Sequence, residues 1–276
     1  MAGSTWLMAS AWGWFALLAI GGQLWPLAGT RGETADARSI EPARVITNIG
    51  LSIADMAIGL LVPVSTILAA WLGQAGNFGL LHQFSLPQWA QIALAIVLSD
   101  LLVWAVHLLA HHWPAYWRVH RVHHCDTVLD VLTSYRQHPG ATLLTASLLA
   151  AATVGLGLDP IGVFAYQALI AFHQPLHHSN LDWRLPPWLT AALGWIFVRP
   201  SQHALHHSAL ECETNSNFGQ VFSIWDRLAG TLRKADEAHL RTLSIGLGAG
   251  YDRLASRIGS QLTLPFAPLA GPRREQ

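Results

Sequence analysis

The chain has 276 residues, of which 52% are hydrophobic and only 12% are charged. Soluble domains carry about 25% charged residues, so this low charge favours a membrane protein over a soluble one. The formal net charge of zero argues against nucleic acid as a partner, because phosphate binding requires a basic face.

Five apolar segments follow one another along the chain. They lie at about residues 6–28, 45–72, 89–109, 141–158 and 161–172. The first three each hold about 20 residues or more, which is enough to cross a hydrocarbon core of about 30 Å. No Lys or Arg precedes the first segment, so we interpret it as a permanent helix rather than a cleaved signal peptide. The last two are short, and Asp159-Pro160 between them predicts a turn and a helical hairpin that just crosses the bilayer or re-enters it.

The basic residues predict the orientation of these segments. If the N-terminus lies outside, all sixteen Lys and Arg residues fall on the same side of the membrane. The loop 73–88 on the opposite side contains no charge. By the positive-inside rule the basic side is the cytosol, and every histidine cluster described below lies there as well.

The last third of the chain is more polar. Helical patches are predicted at about 187–197 and 202–207, and Trp188 and Trp195 place the first patch along the membrane surface. The stretch from about Thr263, which is rich in proline, is expected to be a loose tail. The chain as a whole is expected to fold as an all-α integral membrane helical bundle of about three to five membrane segments with a cytosolic, histidine-rich, metal-binding cap.

Histidine clusters are the densest feature of the sequence. Of fifteen histidines, thirteen fall between His107 and His207. The four clusters are His107-x3-His111, His120-x2-His123-His124, His173-x3-His177-His178 and His203-x2-His206-His207. Histidines at i, i+3 and i+4 share one face of a helix, so each cluster is expected to direct its imidazoles to one point. Together they supply more nitrogen than one tetrahedral metal ion uses, which predicts a site for two metal ions.

The clusters belong to a longer series of motifs in a fixed order. The series is Asp100-x6-His107-x3-His111, His120-Arg121-Val122-His123-His124, Arg136-Gln137-His138-Pro139, His178-Ser179-Asn180, His203-x2-His206-His207 and Trp225-Asp226-Arg227-x2-Gly230-Thr231. It covers about 99–232 and resembles the fatty acid hydroxylase / sterol desaturase superfamily. The resemblance implies an integral membrane di-iron oxygenase that uses O2 to attack an unactivated C–H bond of a lipid. It also implies electrons from a reduced partner protein of the ferredoxin or cytochrome type.

The resemblance implies a set of metal ligands and a domain division. The ligands are His107, His111, His120, His123, His124, His173, His177, His178, His203, His206 and His207. We expect that one of the trio His173, His177 and His178 does not bind metal. Two iron ions are implied, although imidazole ligands also suit zinc. The expected division is transmembrane helices in 1–98, a catalytic domain in 99–235 and a C-terminal cytosolic tail in 236–276.

Two further residues are assigned to catalysis. Asp100 lies two helical turns before His107, and a carboxylate inside a membrane segment is costly and usually functional. We expect it either to accept a hydrogen bond from a ligating histidine or to be satisfied by arginine or backbone groups. His138 matches the family's Arg-x-His-Pro element, which implies that it supports a ligand or binds metal itself. The alternative is a histidine that marks a helix boundary before Pro139.

Polar residues after the last histidine cluster are interpreted as structural. Asn215 and Asn217 are expected to cap a turn rather than to contact metal-bound oxygen. Asp226 and Arg227 are expected to form a structural pair near the cytosolic cap.

Four functions remain under consideration. The leading hypothesis is a lipid hydroxylase acting on a fatty acyl chain, a sterol or a related lipid, and the nearest alternative is a desaturase with the same metal centre. A membrane haem or electron-transfer protein and a metal-binding membrane protein without turnover are the others. The sequence departs from the family pattern at Leu108, Gly140-Ala141 and Ala229, which leaves the lipid substrate open.

Overall fold

The computed structural model describes residues 13–22, 24, 27, 41–61, 65–182, 185–248 and 250–268. Within these residues it is helical, with two isolated β-bridges and no strand, which confirms the predicted all-α class. The helices are α1 (Gly13–Gly22), α2 (Pro42–Leu61), α3 (Thr66–Ala75), α4 (Gln88–His112), α5 (Pro114–His124), α6 (Pro139–Leu156), α7 (Pro160–His178), α8 (Pro187–Ile196), α9 (Pro200–His206), α10 (Glu211–Thr214), α11 (Ile224–Ala229), α12 (Glu237–Arg241), α13 (Asp252–Ala255) and α14 (Ile258–Thr263). Short 3-10 helices lie at Leu80–Gln83, Thr133–Tyr135 and Leu264–Phe266.

Two of the described helices, α4 and α6, are long and apolar enough to cross a membrane. The most apolar windows of α4 and α6 have mean hydropathies of 2.3 and 1.5. Only 22% and 17% of these windows are buried inside the protein, whereas the core helix of a soluble protein is mostly buried. Large exposed apolar faces of this kind are typical of surfaces that contact lipid or another protein.

The first two predicted segments differ from the observed helices. For the segment 6–28, the structure describes helix α1 and two residues beyond it, and the rest lies outside the described residues. The apolar segment 45–72 falls on two helices, α2 and α3, rather than on one. The hydroxyl of Ser65 accepts a hydrogen bond from the amide of Leu68, which starts a new helix at Thr66.

The turn predicted at Asp159-Pro160 is confirmed, although α6 and α7 pack mainly against α3 and α4 rather than against each other. Gly157 caps the C-terminal end of α6 and has the left-handed conformation (φ 69°) that glycine adopts without strain. The carboxylate of Asp159 then accepts hydrogen bonds from the amides of Ile161 and Gly162 and caps α7. Helix α7 continues past the predicted end at 172 to His178, so the third histidine cluster lies on its last turns.

The close packing of α7 against α4 depends on Gly162. A Cβ atom added at this position would lie 2.5 Å from the Cβ of Ala95 and 2.6 Å from the carbonyl oxygen of Ile92. Real Cβ atoms essentially never approach other atoms this closely, so any larger residue would push α4 and α7 apart.

Replacing Gly162 by Ala is therefore expected to destabilise the protein by about 1–3 kcal/mol, as overpacking of a well-packed contact does. The midpoint of thermal unfolding in mild detergent measures this loss. Gly155→Ala on α6 is the matched control, because a Cβ there meets nothing within 4 Å. Equal unfolding midpoints for the two variants would contradict the close contact at Gly162.

The C-terminal residues up to 268 are folded, so the prediction of a loose tail from Thr263 is wrong for this part. The guanidinium of Arg121 on α5 is buried and donates hydrogen bonds to the carbonyl oxygens of Leu264, Ala267 and Pro268. A buried guanidinium needs acceptors, and these carbonyls fix the segment against α5. The division into domains at 98 and 235 stays a prediction.

A buried charge network joins α2 to the connection between α5 and α6. The carboxylate of Asp126 is 2.6 Å and 2.9 Å from two guanidinium nitrogens of Arg44, and it accepts further hydrogen bonds from Asn48 and Thr133. Burial opposes its charge, but Arg44 and Arg136 hold the pKa of Asp126 below its usual range. This network fixes the start of α2 next to the residues that follow His124.

Candidate metal centre

Nine histidines lie in two buried groups, each of which could hold a metal ion. Within each group the candidate ligand atoms lie within 4.8 Å of one another. Cluster A contains His107, His111, His120, His124 and His206. Cluster B contains His123, His178, His203 and His207. The structure thus brings together nine of the eleven implied ligands in two adjacent sets, as a site for two ions requires.

The two clusters do not correspond to the four clusters in the sequence. Helix α4 contributes only to cluster A and α7 only to cluster B, whereas α5 and α9 contribute to both. Adjacent helical residues point about 100° apart, so His123 and His124 on α5 face different clusters. His206 and His207 at the end of α9 diverge in the same way. The expectation that each sequence cluster aims at one point is wrong for α5 and α9.

The separations between ligand nitrogens fit coordination to common ions. The Nε2 atoms of His107 and His206 are 3.0 Å apart in cluster A. In cluster B the Nε2 atom of His178 is 3.1 Å from that of His123 and 3.0 Å from that of His203. Two nitrogens at about 2.1 Å from one ion lie about 3.0 Å apart when the angle at the ion is about 90°.

Several buried imidazole nitrogens have no hydrogen-bond partner among the described residues. In cluster A these include the Nε2 atoms of His111, His120 and His124. A buried polar atom without a partner costs about 1–3 kcal/mol, which a bound metal ion would remove. Five nitrogen donors in cluster A also exceed the four of a structural zinc site. The donor set therefore fits a metal ion of higher coordination number.

The histidines of α5 have the protonation state that metal binding needs. Burial lowers the pKa of His123 to about 3. Burial, followed by the proximity of His207 and His206, holds the pKa of His124 well below its usual range. Both imidazoles are therefore neutral at neutral pH, and the neutral imidazole is the form that coordinates metal.

A loop after α10 orients the ligating histidines through backbone carbonyls. We call residues 215–222 the carbonyl loop. Its contacts to Nδ1 atoms are Ser216 O to His206 at 2.7 Å, Phe218 O to His107 at 2.8 Å and Gln220 O to His173 at 2.8 Å. Each carbonyl accepts the Nδ1 proton, which leaves Nε2 available for metal at the two cluster A members His107 and His206. Sequence analysis did not identify this loop, because backbone acceptors carry no signal in residue type.

Asp226 holds the carbonyl loop in place. Its carboxylate accepts hydrogen bonds from the amides of Phe218 and Gly219, at 2.9 Å and 2.8 Å, and from the indole of Trp104 at 3.1 Å. Thr231 donates a further hydrogen bond at 2.7 Å. The expected pair between Asp226 and Arg227 is not observed.

Arg227 has different partners on the other side of α11. Its guanidinium donates to the carbonyl oxygen of Gly194 and lies over the indole ring of Trp195. The arginine therefore stabilises the end of α8 through a cation–π contact and a backbone hydrogen bond.

Asp100 supports the far end of the same loop rather than a histidine. Its carboxylate accepts hydrogen bonds from the hydroxyl of Tyr166 at 2.9 Å, the indole of Trp225 at 2.8 Å and the amide of Phe222 at 3.2 Å. The expected hydrogen bond from a ligating histidine is thus replaced by contacts that join α4, α7 and the segment after Gln220.

The two asparagines of this region differ in role. Asn217 has a φ of 53°, and its side chain bonds to the carbonyl oxygen of Gln202 and the amide of Arg233, which confirms the turn interpretation. The side-chain oxygen of Asn215 instead lies 3.3 Å from Nδ1 of His111, where it orients a cluster A ligand.

His138 lies outside both clusters. It precedes α6 as the N-cap residue, and its Nδ1 atom accepts a hydrogen bond from the amide of Gly140 at 3.0 Å. Its Nε2 atom is 3.3 Å from the carbonyl oxygen of Leu262. This placement matches the alternative of a histidine at a helix boundary.

The three histidines of α7 have different contacts, which distinguish their roles. His178 belongs to cluster B, and the ring of His177 lies 4.2 Å from that of His203 with its Nε2 atom buried and without a described partner. The Nε2 atom of His173 is also buried without a described partner, but its ring contacts those of His177 and Phe197 and no histidine of cluster B. Its Nδ1 atom lies 3.2 Å from Nδ1 of His177. His177 is therefore placed to complete cluster B, and His173 to hold it.

Replacing His177 by Ala is expected to leave one metal ion per chain, because cluster B loses an adjacent nitrogen while cluster A keeps all of its own. His173→Ala is expected to retain both ions, since its ring contacts His177 and Phe197 but no member of cluster B. Metal content after dialysis against a chelator checks both variants. Equal loss of metal in the two would contradict the assignment within the trio.

Comparison with known proteins gives a consistent result. The family model described as fatty acid hydroxylase matches residues 92–231. Ornithine lipid hydroxylase of Rhizobium tropici is 33% identical over 66% of this chain and 52% of its own length. Cholesterol 25-hydroxylase of Mus musculus is 30% identical over 53% of this chain and 48% of its own length. Alkylglycerol monooxygenase of Caenorhabditis elegans is 26% identical over 48% of this chain and 25% of its own length.

The chain spans about half the length of the first two of these relatives. No solved structure matches it. The family match contains every histidine of both clusters, together with the carbonyl loop and Asp226. The chain belongs to the fatty acid hydroxylase family.

Proposed function

We propose that the protein is a membrane-bound di-iron monooxygenase that hydroxylates an unactivated C–H bond of a lipid, with O2 and electrons from outside the chain. The observation that carries this proposal is a cavity shared by both metal clusters. It has a volume of about 490 Å³ and is lined by His107 and His120 of cluster A and by His123 and His178 of cluster B. A substrate in this cavity lies beside both ions.

The walls of the cavity suit a lipid. They are formed by residues of α4, α6 and α7, including Val103, Val106, Leu149 and Ile170. Because α4 and α6 are the two described helices with membrane-spanning length, the cavity lies beside the apolar helices through which a lipid would enter. The volume lies within the range of about 300–1,000 Å³ that is typical of ligand-binding pockets.

The side chains of both clusters are arranged to bind the two ions. Neutral imidazoles present Nε2 atoms to the ions, and the carbonyl loop keeps the protons on Nδ1 of His107 and His206. Two iron ions held by these imidazoles would supply the chemistry that activates O2. In the overall reaction the lipid RH, O2, two electrons and two protons give the alcohol ROH and water. The electrons come from a reduced protein of the ferredoxin or cytochrome type.

The proposed location is a multi-pass membrane protein with the metal centre on the cytosolic face. The absence of Lys and Arg from the loop 73–88 and from residues 141–180 supports this orientation. Trp188 and Trp195 are largely exposed on α8, as expected of a helix that lies at the membrane surface.

The alternatives have less support. A desaturase would use the same centre, but the relatives named above are hydroxylases and a monooxygenase. A haem protein needs two histidines on opposite sides of a macrocycle. The ligand nitrogens described here are only 3.0–3.2 Å apart, which leaves no room for a macrocycle between them.

The test combines metal content with oxygen incorporation. We expect about two irons per chain in protein purified in gentle detergent, as two separate histidine sets require. With a reduced ferredoxin and 18O2, lipid products should gain one labelled oxygen, whereas a desaturase product would lose two hydrogens. A haem absorption band would contradict the proposal.

Variants of one ligand in each cluster complete the test. His124→Ala and His207→Ala are expected to abolish the product, because each removes a nitrogen from a different ion. His112→Ala is the matched control, since His112 is exposed and outside both clusters. Unchanged products in both ligand variants would show that the centre has no catalytic role.

A further inference from the structure

Two arginines lie side by side at the end of α8. The guanidinium of Arg227 donates a hydrogen bond to the carbonyl oxygen of Gly194 at 2.7 Å. The guanidinium of Arg199 packs against the same glycine, because a Cβ atom added at Gly194 would lie 2.6 Å from Nε and 3.1 Å from Cζ of Arg199. Both guanidiniums therefore contact one residue, and their positive charges are neighbours.

No carboxylate among the described residues forms an ion pair with either arginine. Residues 183–210 contain no Asp or Glu. The carboxylate of Asp226, next to Arg227 in sequence, accepts its hydrogen bonds from the carbonyl loop and from other groups. Burial, followed by the positive charge of Arg227, lowers the pKa of Arg199. The two charges thus oppose each other, and an anion bound to both would offset this repulsion.

Both guanidiniums keep hydrogen-bond donors for a ligand. Their Nε atoms are buried, whereas each side chain as a whole is partly exposed. The two terminal nitrogens of Arg199 and one of Arg227 donate no hydrogen bond to a described residue. A guanidinium presents its donors in a planar fork that matches the oxygens of a phosphate group. The arginine pair therefore has the charge and the donors of a phosphate site.

The surface around the arginine pair is aromatic and apolar. Trp188 and Trp195 lie two helical turns apart on α8, so they project from one face, and both are largely exposed. The guanidinium of Arg227 lies 4.1 Å from the centre of the Trp195 ring, and the neighbouring Leu228 is 73% exposed. Exposed tryptophans next to cations are typical of a helix that lies at the headgroup level of a membrane. A site for a free anion in water would not need these apolar side chains.

We propose that Arg199 and Arg227 bind the phosphate of an anionic phospholipid, while Trp195 and Leu228 contact the apolar part of the same molecule. Neither arginine lines the cavity beside the metal clusters, so this lipid is a structural ligand and not the substrate. Arg199 directly precedes α9, which carries three candidate metal ligands, and Arg227 directly follows Asp226. The bound phosphate would hold both elements at the membrane surface.

Binding is measured by native mass spectrometry on the metal-loaded protein in a neutral detergent. The probes are dipalmitoyl phosphatidylglycerol, which is anionic, and dipalmitoyl phosphatidylcholine, which has the same chains and a phosphate but also a cationic group that arginines repel. We expect the first phosphatidylglycerol molecule to bind about tenfold more tightly than phosphatidylcholine, a difference of about 1.4 kcal/mol. Equal affinities for the two lipids would overturn the proposal.

Variants then locate the recognition. Arg199→Gln removes no described hydrogen bond within the protein, and it is expected to weaken phosphatidylglycerol about tenfold and to leave phosphatidylcholine unchanged. Arg227→Lys keeps the charge but loses the planar fork, and it is expected to weaken the same lipid by a smaller factor.

Arg253→Gln on α13 is the matched control, because Arg253 is exposed, has no described carboxylate partner and changes the net charge by the same amount. Equal weakening by Arg199→Gln and Arg253→Gln would show attraction by net charge alone and overturn the proposal. Equal loss of both lipids in Arg199→Gln would show a merely structural role and overturn it as well.

Inorganic phosphate separates a lipid site from a site for the free anion. We expect that inorganic phosphate at the concentration of the lipid does not displace phosphatidylglycerol, because the free ion makes no contact with Trp195 or Leu228. Displacement at equal concentrations would assign the arginine pair to a free anion and overturn the proposal. None of these measurements requires turnover, so their outcome is independent of the proposed function.

Discussion

Replacement of Asp226 by Asn is expected to lower the affinity of cluster A for metal by about 10- to 100-fold, the usual effect of losing a group that orients ligands. The amide of Gly219 donates to one carboxylate oxygen of Asp226 at 2.8 Å, while Phe218, Trp104 and Thr231 share the other. In the Asn variant an NH2 group replaces one of these two oxygens. It is a donor and cannot accept the hydrogen bonds that this oxygen accepts. The carbonyl loop then shifts, and its carbonyls no longer hold the Nδ1 protons of the cluster A ligands.

Metal affinity in the Asp226→Asn protein is measured by competition with a chelator of known affinity. Asp236→Asn is the matched control, since Asp236 caps the short helix α12 by accepting from the amide of His239 at an exposed site. We expect native affinity in the control. Native affinity in Asp226→Asn as well would show that the loop is held by other contacts.

Replacement of Asp126 by Ala is expected to lower the free energy of unfolding by about 3–5 kcal/mol, because one partner of a buried ion pair is removed. Asp126 and Arg44 are both almost completely buried, and Arg44 keeps only Asp130 as a carboxylate partner in the variant. The guanidinium then remains in the interior with part of its charge unbalanced.

Unfolding of the metal-free Asp126→Ala protein by denaturant in mild detergent measures this loss without any contribution from bound metal. Glu237→Ala serves as the control, because Glu237 and Arg241 form an exposed pair four residues apart on α12. Such pairs contribute about 0.3–0.5 kcal/mol. A loss of that small size in Asp126→Ala would mean that the network contributes little to stability.

Residue type and spacing predicted the local features of the fold well. The turn at Asp159-Pro160 is a local signal, since proline starts a helix and aspartate caps it, and the structure has both. The helices predicted at about 187–197 and 202–207 are observed as α8 and α9, within two residues at each end. The break between α2 and α3 was missed, because the apolar character continues across it and the cap at Ser65 is a single hydroxyl.

The features that sequence analysis missed depend on contacts between distant residues. The carbonyls that hold the guanidinium of Arg121 lie more than 140 residues away in sequence, so nothing near Thr263 indicates an ordered segment. The histidines of the metal centre were identified by spacing, but their division between two ions was not. That division follows from how α5 and α9 are rotated against α4 and α7.

The sharing of α5 and α9 between both clusters has a consequence for biogenesis. Cluster A takes His206 and cluster B takes His203 and His207 from the same helix. Neither set of nitrogens is complete until α9 has been synthesised and has packed against α7, which precedes it in the chain. Metal binding would therefore be a late event in folding. An ion bound at either cluster would hold α9 and α5 together and so favour binding at the neighbouring site.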